Sequence, residues 1–280
     1  MQATLKHKDY LSRHIRFILV ELLALWKEEY FSDTRAFKKA KRYWMRVIAN
    51  YSESLRYYLF GTPSVSSALG DFPIPSSMDE AVEILKRYGV TRLPDVDTSK
   101  LPFVIFNQSN ARSSDQHKVN QDAAFAFAVD NGFHQIATQY LKEKESYFLA
   151  KAWRLNANPT HKVAVRNAMW HRDRDGFKVI KFFVYLSDVI QDDGEHEYAP
   201  GTHKMKPLRF VPQIRFSDAE VTARYHTIKI KGKRGYSFVE DTTGLHKASL
   251  PVNSNRDIIC LAYFTGPIFW EAHTRKISLP

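Results

Sequence analysis

Cysteine is nearly absent: Cys260 is the only one in 280 residues. No disulfide can form within the chain, which fits a reducing compartment. Internal repeats, low-complexity tracts and any linker that would separate two domains are also missing. One integrated domain is therefore expected, a barrel with an accessory region. No apolar run is long enough to cross a bilayer, which takes about 20 residues. The greasiest stretch, Ile15–Trp26, contains Arg16 and Glu21 and runs straight into Lys27-Glu28-Glu29. No small-residue cleavage site follows it, so neither a signal peptide nor a membrane span is expected, and the cytoplasm is the default location.

Charge of one sign is abundant. The hydrophobic content of 44% is ordinary for a globular chain, but the formal net charge is +11. Residues 1–60 hold 12 Lys/Arg and 6 Asp/Glu, a net of +6. In this stretch Phe37, Ala40, Trp44, Ile48, Tyr51, Leu55 and Tyr58 recur at three or four residues, one face of a helix that Asp33 or Thr34 can cap. Lys38, Lys39, Lys41, Arg42 and Arg46 crowd its first half, where cations oppose the helix dipole. Helix stability does not explain that placement. A solvated basic face and attraction to an anionic partner both would.

Further along, Ser76-Ser77-Met78-Asp79 can cap a helix over Glu80–Tyr88 that Gly89 would end. Asn107–Asp122 is polar throughout and suggests a loop over the mouth of a site, and residues 123–144 look helical. From there short strand-like runs take over. Val163–Trp170 is an apolar run broken by Arg166 and Asn167. Asp175-Gly176 turns the chain into Phe177–Leu186, rich in β-branched and aromatic residues. Tyr225–Ile230 and Tyr236–Val239 bracket Lys231–Gly235 as a candidate hairpin. Asp241–Gly244 turns again before His246, and Asp257–Phe264 is apolar with Arg256 at its mouth. Many short strands between turns imply an all-β sandwich or jelly roll.

On these strands sits one ordered set. His171 and Asp173 are two apart, so on a strand they face the same side. His246 follows 75 positions after His171, and Arg256 10 after that. Two imidazoles and a carboxylate can cap one face of a metal and leave the other open, as non-haem Fe(II) needs for a co-substrate and O₂. An arginine one strand further can grip a carboxylate with a two-pronged hydrogen bond. An H-x-D triplet alone means little, because 11 His and 30 acidic residues give roughly one by chance. His7-Lys8-Asp9 is such a decoy, in a charged lead-in without a strand around it. Asn167, an even four positions before His171, would share its strand face. Lys178 and Arg174 are placed to approach the same pocket.

Three segments resemble the phytanoyl-CoA dioxygenase family of Fe(II)/2-oxoglutarate oxygenases. Trp170-His171-Arg172-Asp173 resembles its W-H-x-D iron motif. Pro200-Gly201-Thr202-His203 resembles its P-G-S-H loop, with Thr for Ser. His246 and Arg256 resemble its distal ligand and co-substrate arginine. The match covers roughly residues 145–270. One departure is Ala248, where members often carry a Ser that helps hold 2-oxoglutarate; Ser249 is next. The resemblance implies a double-stranded β-helix core over 145–270, a mainly helical region over 1–144 and a tail over 271–280. It implies Fe(II) on His171, Asp173 and His246, and 2-oxoglutarate chelated to the metal and paired with Arg256. O₂ then drives oxidative decarboxylation to succinate and CO₂, coupled to hydroxylation of an unactivated C–H bond. His203 is expected to shape the barrel mouth, and His196 to sit in an acidic turn.

Three anionic partners would suit the basic surplus. Nucleic acid is weakly supported, since no recognition module is visible. An acyl-CoA is the family's namesake substrate. An anionic lipid surface would suit amphipathic helices with basic flanks. The chain as a whole resembles the bacterial Kdo hydroxylases, which would make the substrate a lipid-linked acidic sugar with Arg112, Arg172 and Arg174 as its partners. A homo-oligomer, and a non-catalytic jelly roll binding anionic lipid or sugar, are the other expectations.

Overall fold

The computed structural model describes residues 74–101, 104–105, 114–143, 145–157, 168–173, 178–204, 215–265 and 275–278. The basic helices expected before residue 60 lie outside them, as do Asn167, Arg112 and Arg174.

The first described helix, α1 (Met78–Tyr88), has the expected ends. Ser77 accepts from the Glu80 N–H, Asp79 and Glu80 sit in the first turn, and Lys86 and Arg87 sit in the last. Each charge opposes the helix-dipole partial charge at its end. Gly89 then turns left-handed at φ 81° and returns its N–H to Leu85. A Cβ at Gly89 would overlap Tyr198 Oη and the His203 ring, so glycine is required for space as well as for conformation.

The stretch 123–144, helical in its sequence pattern, holds two helices: α2 (Gln121–Asp130), capped by the Asn120 side chain, and α3 (Phe133–Leu141). Gly132, at φ 75°, breaks them apart. The polar run read as a loop over Asn107–Asp122 is partly strand, because β3 (Ser114–Val119) pairs with β4 (Glu145–Leu155). Polarity misleads here because β3 pairs through its backbone, with β4 on one side and β2 on the other.

Two antiparallel sheets follow. The larger has the order β1 (Val90–Leu93), β10 (Ser237–Glu240), β6 (Val179–Tyr185), β12 (Arg256–Phe264), β4, β3, β2 (Val104–Ile105). β13 (Arg275–Ser278) also pairs with β4. The smaller is β8 (Arg215–Phe216), β5 (Trp170–His171), β11 (His246–Ala248), β7 (His196–Tyr198), β9 (Ile228–Ile230). Along the chain β4, β6, β10 and β12 fall in one sheet and β5, β7, β9 and β11 in the other. That alternation is a double-stranded β-helix. Strands β1, β2, β3 and β13 join the same large sheet from outside residues 145–270.

The candidate hairpin over Tyr225–Val239 does not form. Its arms, β9 and β10, belong to different sheets, and Gly232 bridges to Val189. Alternation alone does not say which sheet takes a strand: β9 pairs with β7, and β10 with β1 and β6.

Both faces of the large sheet are covered, which accounts for the near-continuous apolar runs of β6 and β12. Ile180, Phe182, Val184, Ile259, Leu261 and Tyr263 face the helices, where Phe133 stacks on Phe182 at 4.8 Å. Val179, Phe183, Tyr185, Ile258, Cys260, Ala262 and Phe264 face the space between the sheets. Lys181 and Glu240 are on that inner face too, directly opposite each other in the β10–β6 register. The outer face of the small sheet closes over Trp170, Ala199, Val221 and Leu245, beside α4 (Asp218–Thr222).

Candidate metal centre

His171 and His246 are paired residues on adjacent antiparallel strands. Their rings lie 4.3 Å apart between centroids. Alternation turns Trp170 outward, where its Nε1 donates to Asp218 at 2.7 Å, and turns His171 inward. Past the strand end, the Asp173 N–H donates to Thr242 O at 2.8 Å, which fixes the carboxylate beside both rings. Asp173 Oδ1 is 3.9 Å from His171 Nε2, and Oδ2 is 3.6 Å from His246 Nε2. Ligands about 2.1 Å from one metal ion are about 3–4 Å from each other, so the spacing suits a shared ion.

Among the described residues this is the one group of three or more His, Cys, Asp or Glu side chains whose ligand atoms converge, all within 4.8 Å. The orientation of the rings suits a metal as well. His171 Nδ1 lies 2.9 Å from Met169 O, and His246 Nδ1 lies 3.0 Å from Gly244 O. A carbonyl only accepts, so each Nδ1 carries the proton and each Nε2 offers its lone pair to the common point.

Electrostatics prepare the same state. Burial, then the neighbouring His171, lowers the pKa of His246 to about 4; burial also lowers that of His171. Both rings are neutral ligands at neutral pH. Burial would raise the Asp173 pKa, but Lys181, His246 and His171 outweigh it and hold it far below the usual carboxylate range. Lys181 Nζ lies 2.7 Å from Asp173 Oδ2.

The P-G-T-H loop supports the distal ligand. Thr202 Oγ1 donates to Ala199 O at 2.7 Å and accepts from the Leu245 N–H at 2.8 Å, one residue before His246. A Thr serves here as a Ser would, because only the hydroxyl is used. Tyr198 Oη donates to Asp241 O, and the Gly201 N–H donates to Tyr88 O. His203 is buried with Nε2 3.1 Å from Lys86 O, a packing role at the barrel rim.

Arg256 is almost fully buried at the inner mouth of β12. Its Nη1 donates to Gly194 O at 2.5 Å, and its Nε has no hydrogen-bond partner among the described residues. Burial lowers its pKa, offset by Tyr185 and Glu195. A buried guanidinium with an unused donor is costly, so the cradle suits an incoming carboxylate. It is linked to the triad through His196, which feels the Arg256 charge and stacks on His246 at 5.8 Å. Ser249 cannot replace the missing Ser at Ala248 while its hydroxyl is bonded to Glu197.

Other expected site residues face elsewhere. Arg172 lies between two inward residues and so points outward, donating from Nη1 to Thr202 O and Thr243 O, both at 2.7 Å. It ties the loop to the 241–244 turn. Lys178 is three residues from Lys181 and therefore on the opposite face, donating to Leu141 O at 2.6 Å near Glu143.

The structure adds three inward groups: Lys181 and Glu240, for which the sequence carried no expectation, and His196. His196 opens β7 in the interior rather than sitting in an acidic turn, with Nε2 3.0 Å from both Glu240 oxygens. Burial lowers the His196 pKa to about 3 and raises that of Glu240 to about 8. The available signal was a charged residue inside an otherwise apolar strand, FKVIKFFVYL and SFVE.

No protein-family model matches the chain, and no curated protein is significantly similar to it. Solved structures do match. The epimerase SnoN, in complex with Fe3+, alpha ketoglutarate and nogalamycin RO, aligns at 14% identity and a TM-score of 0.51, over 68% of this chain and 84% of that one. The alpha ketoglutarate dependent carbocyclase SnoK of nogalamycin biosynthesis aligns at 16% and 0.48, over 68% and 87%. HygX of Streptomyces hygroscopicus, with nickel, 2-oxoglutarate and hygromycin B bound, aligns at 16% and 0.46, over 68% and 88%. At these identities the likeness to SnoN establishes a shared fold.

Proposed function

We propose that this chain is an Fe(II)/2-oxoglutarate-dependent oxygenase. The observation that carries the proposal is the convergence of His171 Nε2, Asp173 Oδ and His246 Nε2 on one point between the sheets, each Nδ1 being fixed by a backbone carbonyl. The unused buried Nε of Arg256 supports a carboxylate-bearing co-substrate. SnoN, which shares the fold, holds iron and alpha ketoglutarate. When bound, the metal and 2-oxo acid supply the oxidising power, using O₂. The protein supplies the ligand face, the guanidinium and the enclosure between two sheets.

The reaction we assign is hydroxylation of an unactivated C–H bond in an anionic substrate, first the Kdo sugar of lipopolysaccharide precursors and second an acyl-CoA. Charge supports this reading. The overall charge is +11, and one of its cations, Lys151, is exposed mid-strand on the face of β4 that carries Leu149 and Trp153. Contact with an anionic membrane through residues 1–60 is part of the same proposal. Among the described residues no helix is long and apolar enough to cross a membrane.

A succinate-release screen over lipopolysaccharide precursors, acyl-CoAs and alkylated nucleic acid tests it. Substrate-stimulated succinate from the first group, absent in His171→Ala, is the expected result. Metal binding without succinate from any substrate would favour a non-catalytic module.

A further inference from the structure

Lys181 is the one cation of β6 on the inner face, and its side chain is 15% exposed. An apolar side chain would suit that strand at least as well, since a buried ion pair is weak evidence for stability. What the lysine does is specific. It reaches from the large sheet across the interior to the aspartate at the end of β5 and lies 2.7 Å from Oδ2. Its cross-strand neighbour Glu240 turns both oxygens to His196 instead.

We propose that Lys181 is a positioning residue that holds the Asp173 carboxylate to one-oxygen ligation, keeping open the metal positions that a chelating 2-oxo acid needs. This rests on the oxygenase reading. Two imidazoles and one carboxylate oxygen leave three positions of a six-coordinate ion, enough for a two-toothed 2-oxo acid and O₂. An aspartate free to rotate can chelate with both oxygens and take one of them. An ammonium bonded to one oxygen opposes that rotation, because the charge-assisted bond would have to break. The backbone contacts that orient the two ring nitrogens are untouched, so the metal itself should still bind.

The test compares wild type, Lys181→Met and Lys181→Arg under anaerobic conditions. Metal content and the Co(II) visible spectrum report the ligand set. 2-Oxoglutarate titration of the Fe(II) charge-transfer band reports the open positions. All three chains should bind one metal. Lys181→Met should show an altered Co(II) spectrum and need about tenfold more 2-oxoglutarate, the size of effect typical for groups that orient a ligand. Lys181→Arg should return both toward wild type. Should Lys181→Met not fold, Lys181→Ala is read in its place. An unchanged Co(II) spectrum with wild-type 2-oxoglutarate binding in Lys181→Met overturns the role of Lys181. Failure of wild type itself to bind 2-oxoglutarate overturns the oxygenase reading instead.

Discussion

Replacing Glu240 by Gln should make the metal-free protein more stable, and only on the alkaline side. Glu240 is fully buried, and burial raises its pKa to about 8 from an ordinary 4.5. The folded state therefore keeps a proton that the unfolded chain has lost. Stability falls as pH rises between those two values, by about 1.4 kcal/mol per pH unit. His196 has the opposite slope. Its pKa is lowered to about 3, so it destabilises the fold as pH drops below 6.5. The two slopes overlap from 4.5 to 6.5, which leaves pH 6.5–8 as the window belonging to Glu240. Across it the wild type should lose about 2 kcal/mol that Glu240→Gln does not. For a chain of this size that is roughly a 4–8 °C difference in Tm change. Thermal melts in chelator at pH 6.5 and 8.0, wild type beside Glu240→Gln, measure it. Parallel losses in the two proteins would mean that Glu240 is ionised in the folded state and that the buried pair is wrongly described.

Other perturbations have equally definite outcomes. Cys260, whose pKa burial raises to about 12, should react with iodoacetamide at pH 8 about a thousandfold more slowly than a peptide thiol; mass spectrometry on this sole cysteine reads the rate, and peptide-like alkylation would contradict the buried placement. Gly89→Ala should cost about 3 kcal/mol, because a Cβ meets Tyr198 and His203 at a left-handed φ; a Tm within 2 °C or so of wild type would show that the turn can relax. Arg256→Ala should raise the 2-oxoglutarate requirement roughly ten- to a hundredfold, as loss of a charge-assisted partner does, and an unchanged requirement would remove Arg256 from the co-substrate site.

The residues that the sequence made legible are those whose positions depend on strict alternation. Alternation along β5 turns Trp170 outward and His171 inward, and Asp173, just past the strand end, is held beside both rings by its N–H to Thr242 O. Ser77 and Gly89 delimit α1 because capping chemistry is local. Pairing between distant strands was not legible. Nothing local says that β9 and β10 part into different sheets, or that the polar run at Ser114–Val119 is a strand held by β4. Nor does a residue list reveal that Lys181 reaches Asp173 from the opposite sheet. Lys178 is close to the triad in sequence but not in space. Parity along β6 puts Lys178 under the helices and Lys181 inside, a distinction that appears only once the strand's limits are fixed.

The most direct measurement is an anaerobic titration of the purified chain with Fe(II) and 2-oxoglutarate, followed by visible absorption. The expected result is a weak charge-transfer band saturating at one Fe(II) per chain and lost in His171→Ala. No band in the wild type, or a band of full strength in His171→Ala, would contradict the assignment of the 2-His-1-carboxylate face as an iron site.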